Sequence, residues 1–176
     1  MGTSVFRRLE QRWDRREEGL EPVLVQTSIS IAAPPQQVWD FVMAPEAAFL
    51  TADGVLKAFR VPGTPVGLPG EQICLVSEAS GRVSAEIVEV VSAEPPNTLV
   101  SRWVTSPSEI VERTTFEPSE GGGTSLTIQL AMRVTLGTSK KARPLLQEHL
   151  EQSGRRIRSA IESGARLPSA DLASPQ

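Results

Sequence analysis

Residues 23–45, VLVQTSISIAAPPQQVWDFVMAP, decide the architecture. Val23, Val25, Thr27, Ile29 and Ile31 alternate with Leu24, Gln26 and Ser28, giving a strand with one mainly apolar face. Ala33-Pro34-Pro35 stops the ladder, because proline has no N–H and fixes its own φ. Proline suits the first turn of a helix, and Val38, Trp39, Phe41 and Val42 follow at helical spacing. Ala44-Pro45 ends that helix after about two turns, since the residue before proline is pushed out of the α region. A second short helical run, Glu46 to Leu50, comes next. The plainest role for Val38, Trp39 and Phe41 is packing against the sheet.

A strand, the phrase Ala-Pro-Pro-x-x-Val-Trp-Asp-Phe and a second short helix opened by Pro45 resemble the start of the START-like superfamily (SRPBCC), the polyketide cyclase/dehydrase and lipid-transport proteins. The resemblance covers Val23 to Ser163. It implies an α+β helix-grip fold: a curved antiparallel sheet around a long C-terminal helix, enclosing an apolar cavity. It says little about chemistry, because the superfamily mixes binders with enzymes.

The rest of the chain fits that layout. Val55 to Val61 is a short strand, and PGTPVGLPG (62–70) is a turn-rich loop without periodicity. Glu71 to Glu78 and Arg82 to Ser92 form a hairpin through Ala79-Ser80-Gly81. Glu94-Pro95-Pro96-Asn97 turns the chain into Thr98 to Thr105, and Ser106-Pro107 into Glu109 to Glu117. PSEGGG (118–123) leads to Thr124 to Leu136. Short connections between successive strands favour an antiparallel meander, and no helix interrupts them as a doubly wound fold requires.

In the last strand Leu126, Ile128, Leu130, Met132 and Val134 alternate with polar or small residues, so Arg133 is expected to face solvent. If Phe116 shares the inner face, parity brings Thr114, Glu112 and Ile110 inward with it. One bulge reverses this. In the preceding strand parity leaves open whether Ser101 with Trp103, or Val100 with Arg102, faces inward. The long helix spans Ser139 to Ser163. Its buried face is Ala142, Leu146, Leu150, Ser153, Ile157 and Ile161, broadened by Leu145, His149 and Ala160. Pro144 reads either as a first-turn proline or as a kink. Gly154 costs helix stability and allows close approach to the sheet. Arg155, Arg156 and Arg158 read as a solvated face.

The 176 residues are divided as an amphipathic helical extension (1–20), the helix-grip domain (23–163) and a flexible tail (164–176). Val5, Phe6, Leu9 and Trp13 supply the apolar stripe of the extension, which is expected to dock on the domain as a strut or, with its arginines, to engage a protein partner or a membrane surface. A formal charge of −3 gives no whole-protein case for nucleic acid, and no tyrosine is present to build a stacking platform. No apolar run approaches the roughly 20 residues of a spanning helix, so stable membrane insertion is not expected. One cysteine, Cys74, cannot form an intramolecular disulfide, which suits a reducing cytoplasm. The oligomeric state leaves no trace in the sequence.

His149 is the single histidine, able in principle to orient a carbonyl or move a proton. Glu112 is the other candidate for acid–base chemistry, by its expected facing. Cys74 and His149 do not make a tetrahedral metal set, and no serine lies in a Gly-x-Ser-x-Gly elbow, so neither metal nor cofactor is expected. The candidate ligand-facing set is Trp103, Glu112, Leu130, Met132, Leu146, His149 and Leu150. The leading expectation is a binder or carrier of a small hydrophobic ligand: a lipid, isoprenoid or aromatic polyketide. A cofactor-independent cyclase or dehydratase is the alternative, and a protein-interaction or chaperone-adaptor module the third.

Overall fold

The computed structural model describes residues 19–106 and 108–168. Among the described residues seven strands and three helices follow one another: β1 (Leu20–Ile31), α1 (Pro35–Met43), α2 (Ala48–Thr51), β2 (Val55–Arg60), β3 (Gln72–Ala79), β4 (Arg82–Glu94), β5 (Thr98–Trp103), β6 (Ile110–Pro118), β7 (Thr124–Thr135) and α3 (Ser139–Glu162). Short 3₁₀ turns at Pro45–Ala47 and Glu120–Gly122 precede α2 and β7. The second helical run is therefore part 3₁₀ and part α. The strands form one antiparallel sheet in the order β1-β7-β6-β5-β4-β3-β2, curved around α3 as the helix-grip reading requires.

The order explains the double-proline stop. β1 and β2 are consecutive strands at opposite edges of the sheet, so the chain between them must cross the whole concave face. Pro34 caps α1 with an extended backbone and Pro35 takes its first turn. Val38 and Trp39 are buried, and the Trp39 ring tilts over Phe116 of β6 at a centroid distance of 5.2 Å. From β2 onward the chain meanders back. The β3–β4 hairpin turns on Ser80-Gly81, both with positive φ, as the tightest hairpin turn requires.

α3 closes the other end of the concave face by packing on β1 and β7. Val23, Val25 and Ile31 of β1, Leu126, Ile128 and Leu130 of β7, and Leu150, Ile157 and Ile161 of α3 belong to one core cluster. Gly154 lies against the Thr27 and Ile29 side chains. The free edge of β1 is also engaged: Arg143 Nη1 donates to the Leu24 carbonyl at 2.7 Å and Gln147 Nε2 to that of Gln26 at 2.9 Å. Side chains of α3 thus occupy an edge that would otherwise be a pairing surface.

Three expectations change and one open alternative, the position of Pro144, is narrowed. Arg133 is only 6% exposed: it shares the outer face with Ala131, where Val100 and Val111 form a second small cluster. Its Nε lies 3.5 Å from Glu109, so the long stem lies along the sheet instead of leaving it. Leu145 is 67% exposed and does not broaden the buried helix face. Arg156 is half-buried and pairs with Asp53 at 2.7 Å, unlike the exposed Arg155 and Arg158. Pro144 lies inside α3, beyond its first turn. At the termini, the extension expected over residues 1–20 lies outside the described residues through position 18, and Leu20 already belongs to β1. Residues 169–176 of the expected tail also lie outside them, whereas Leu167 packs against the core.

Candidate functional site

The concave face is not filled everywhere. Where α3 leaves the sheet, a cavity of about 230 Å³ remains between the β3–β6 half of the sheet and the α1–α2 crossing. Strand alternation builds its floor: Ile73 and Leu75 of β3, Val88 and Val90 of β4, Leu99, Ser101 and Trp103 of β5, and Glu112 of β6. Phe41, Met43, Pro45, Ala47, Ala48 and Thr51 of the crossing form the roof. His149, Ser153 and Ile157 of α3 form the remaining wall, with the exposed His149 at the mouth. Asp53 and Arg156 pair beside this wall and join the end of the crossing to the helix.

Of the seven ligand-facing candidates, Trp103, Glu112 and His149 line the cavity. Leu130 and Leu150 are buried in the core cluster, and Met132 and Leu146 pack against it. These four do not line the cavity, because α3 rests on β1 and β7 and the open space lies farther along the sheet. The β5 facing that parity left open is resolved: Ser101 and Trp103 point inward, Val100 outward. Ile73, Leu75, Val88 and Val90 were missed as wall residues. Their alternation with Gln72, Cys74 and Glu89 carried the signal, but nothing in the sequence said that these strands, instead of β7, bound the open space.

Glu112 and Ser101 stand opposite each other in the β5–β6 register. The Thr114 hydroxyl donates to Glu112 Oε1 over a long 3.4 Å. Burial in the apolar wall pushes the Glu112 carboxyl up from its ordinary range, and the Thr114 hydrogen bond opposes this only in part. Among the described residues no group of three His, Cys, Asp or Glu side chains is placed to hold a metal ion, and no helix is long and apolar enough to cross a membrane. The chemistry on offer is an apolar chamber with a neutral-leaning carboxyl, a hydroxyl beside it and an imidazole at the mouth.

The family described as polyketide cyclase / dehydrase and lipid transport matches residues 22–162. No curated protein sequence matches the chain. Among solved structures, a START superfamily protein from Mycobacterium smegmatis superposes with a TM-score of 0.67 at 17% identity, covering 81% of this chain and 99% of the other. The Zhui aromatase/cyclase from Streptomyces sp. R1128 gives 0.64 at 14%, covering 83% and 97%. Norcoclaurine synthase from Thalictrum flavum, in complex with dopamine and hydroxybenzaldehyde, gives 0.64 at 9%, covering 84% and 91%. At these identities the likeness is one of fold.

Proposed function

Because the chain belongs to the polyketide cyclase / dehydrase and lipid transport family, we propose that its cavity binds a small hydrophobic molecule, of lipid, isoprenoid or aromatic polyketide-like character. The observation that carries this reading is the apolar cavity of about 230 Å³ with a few polar groups in its wall. Its size narrows the ligand. Small-molecule pockets usually run from about 300 to 1,000 Å³, while a dry cavity of about 150 Å³ already takes benzene. A ligand of one or two rings therefore fits better than a two-chain lipid. The norcoclaurine synthase neighbour carries dopamine and hydroxybenzaldehyde, ligands of that size class. The single cysteine agrees with work in a reducing cytoplasm.

A second reading, a cyclase or dehydratase that needs no cofactor, is favoured by Glu112. A carboxyl held toward its neutral form beside a bound ring is a general acid in waiting, and His149 at the mouth would exchange protons with solvent. Native mass spectrometry of freshly purified protein, followed by organic extraction, tests the first reading. A stoichiometric apolar passenger is expected, and Ala48→Phe, which fills the cavity from its roof, is expected to lose it. A clean apo mass, together with no binding of any one- or two-ring apolar probe, would overturn it. For the second reading, turnover that survives both His149→Ala and Glu112→Gln would remove those residues from the chemistry.

A further inference from the structure

The cavity wall carries a polar pair whose placement narrows the ligand chemistry. The inference rests on the reading of the cavity as a ligand site. Ser101 and Glu112 are direct cross-strand partners, and both face the cavity. Side chains so placed stand about 4.5–5.5 Å apart at Cβ, close enough for both to reach one ligand atom. Ser101 is 8% exposed, and its hydroxyl hydrogen-bonds to no other described residue. On the same floor, Leu99, Trp103, Val88 and Val90 surround the pair with apolar surface.

We infer that Ser101 and Glu112 form a two-point hydrogen-bonding site for an uncharged oxygen (a ketone, enol or phenol) on an otherwise apolar ligand, and that the cavity rejects carboxylates. Hydrogen-bonding capacity supports the first half. The serine hydroxyl donates one hydrogen bond. The Glu112 carboxyl donates a second when it carries its proton, or accepts one from an enol or phenol O–H when it does not. A ketone oxygen has two lone pairs for two donors. A pure hydrocarbon in the same place would leave both groups without a partner, at about 1–3 kcal/mol for a buried polar group.

Charge supports the second half. Among the described residues, no lysine or arginine lines the cavity, and its only ionisable groups are Glu112 on β6 and His149 at the mouth on α3. Glu112 receives Thr114 from its own strand; β3, β4 and the α1–α2 crossing turn no ionisable side chain toward it. An entering carboxylate would be desolvated against another acid with no buried countercharge.

Three two-ring probes of similar shape test this at pH 7 by calorimetry: 2-acetylnaphthalene, 2-isopropylnaphthalene and 2-naphthoate. The ketone is expected to bind about tenfold tighter than the hydrocarbon, the worth of one to two buried hydrogen bonds. The carboxylate is expected to bind at least about tenfold weaker than the ketone. Glu112→Gln, which keeps a neutral donor, should retain the ketone preference, while Ser101→Ala combined with Glu112→Leu should abolish it. Binding of the hydrocarbon by the double variant also reports that the cavity is intact. Equal affinity for ketone and hydrocarbon, or tightest binding of the carboxylate, would overturn the inference and leave the apolar site standing. Failure of all three probes to bind would overturn both.

Discussion

Arg60 Nε donates to Glu71 Oε1 at 2.6 Å, and Glu71 is wholly buried. Its second oxygen accepts the Gly67 backbone N–H at 2.6 Å, and Arg60 Nη2 donates to the Met43 carbonyl at 3.0 Å. One buried carboxylate thus fixes the 61–70 loop to β2, and through Arg60 to the end of α1, whose Met43 roofs the cavity. A buried charge is tolerable because each oxygen has a donor. The PGTPVGLPG segment, whose own sequence contains no repeating pattern, is held by this knot together with the Gln72 N–H to Thr64 hydroxyl and Gly70 N–H to Val90 carbonyl hydrogen bonds.

Glu71→Gln keeps the volume but removes the charge that Arg60 and Gly67 share. Breaking a buried pair costs about 3–5 kcal/mol, and the partial exposure of Arg60 reduces that to about 2–3 kcal/mol. Urea unfolding is expected to record this loss, and hydrogen exchange to record faster exchange at the Gly67 amide. An unchanged Gly67 amide would mean that the loop is held by other contacts.

Glu112 sets a pH dependence of the opposite sign to that of a salt-bridged acid. Its folded-state value lies above the ordinary 4.5, so the native protein holds a proton that the unfolded chain releases. Its contribution is fully present below about pH 4.5 and is lost as pH rises through the raised folded-state value. Glu112→Gln, which cannot ionise, should gain stability relative to the wild type across that window and hold the gain above it. Thermal denaturation at pH 4, 6 and 8 checks this; a constant difference at all three values would refute the burial of the charge.

Gly154 offers a gain instead of a loss. A Cβ built there has the Thr27 and Ile29 methyl groups as its nearest neighbours, none closer than 3.7 Å, an ordinary contact distance. Gly154→Ala should therefore stabilise by about 0.5–1 kcal/mol through helix propensity and lost unfolded-state entropy. Gly154→Leu should cost about 1–3 kcal/mol, because the larger side chain has to displace β1. A stabilised leucine variant would show that α3 has room to lift off the sheet.

Local sequence determined most of the fold. Alternation in residues 23–31 and 124–135, the two-proline stop and the Ser80-Gly81 turn each act over a few residues, so their physics is written in adjacent letters. The inward facing of Glu112 was also legible, through its parity with Phe116, because no bulge interrupts β6. Only the tertiary structure decided which inward residues line open space and which touch α3. Leu130 and Trp103 both belong to the candidate ligand-facing set, yet one is core and the other wall, because the helix covers β7 and leaves β5 uncovered. The same holds for contacts between distant positions. Glu21 of β1 accepts the Gly137 and Ser139 backbone N–H groups at 2.9 and 2.8 Å, doing for α3 what its own Thr138 side chain does not. Those hydrogen bonds, that of Ser139 foremost, hold its carboxyl below the ordinary value. Arg133 takes the outer face by alternation, but its burial there is decided by the fold, since Glu109 and the paired strands become its neighbours only once the sheet has formed. Spacing along the chain fixes which face a side chain takes; the packing of remote elements fixes what it meets there.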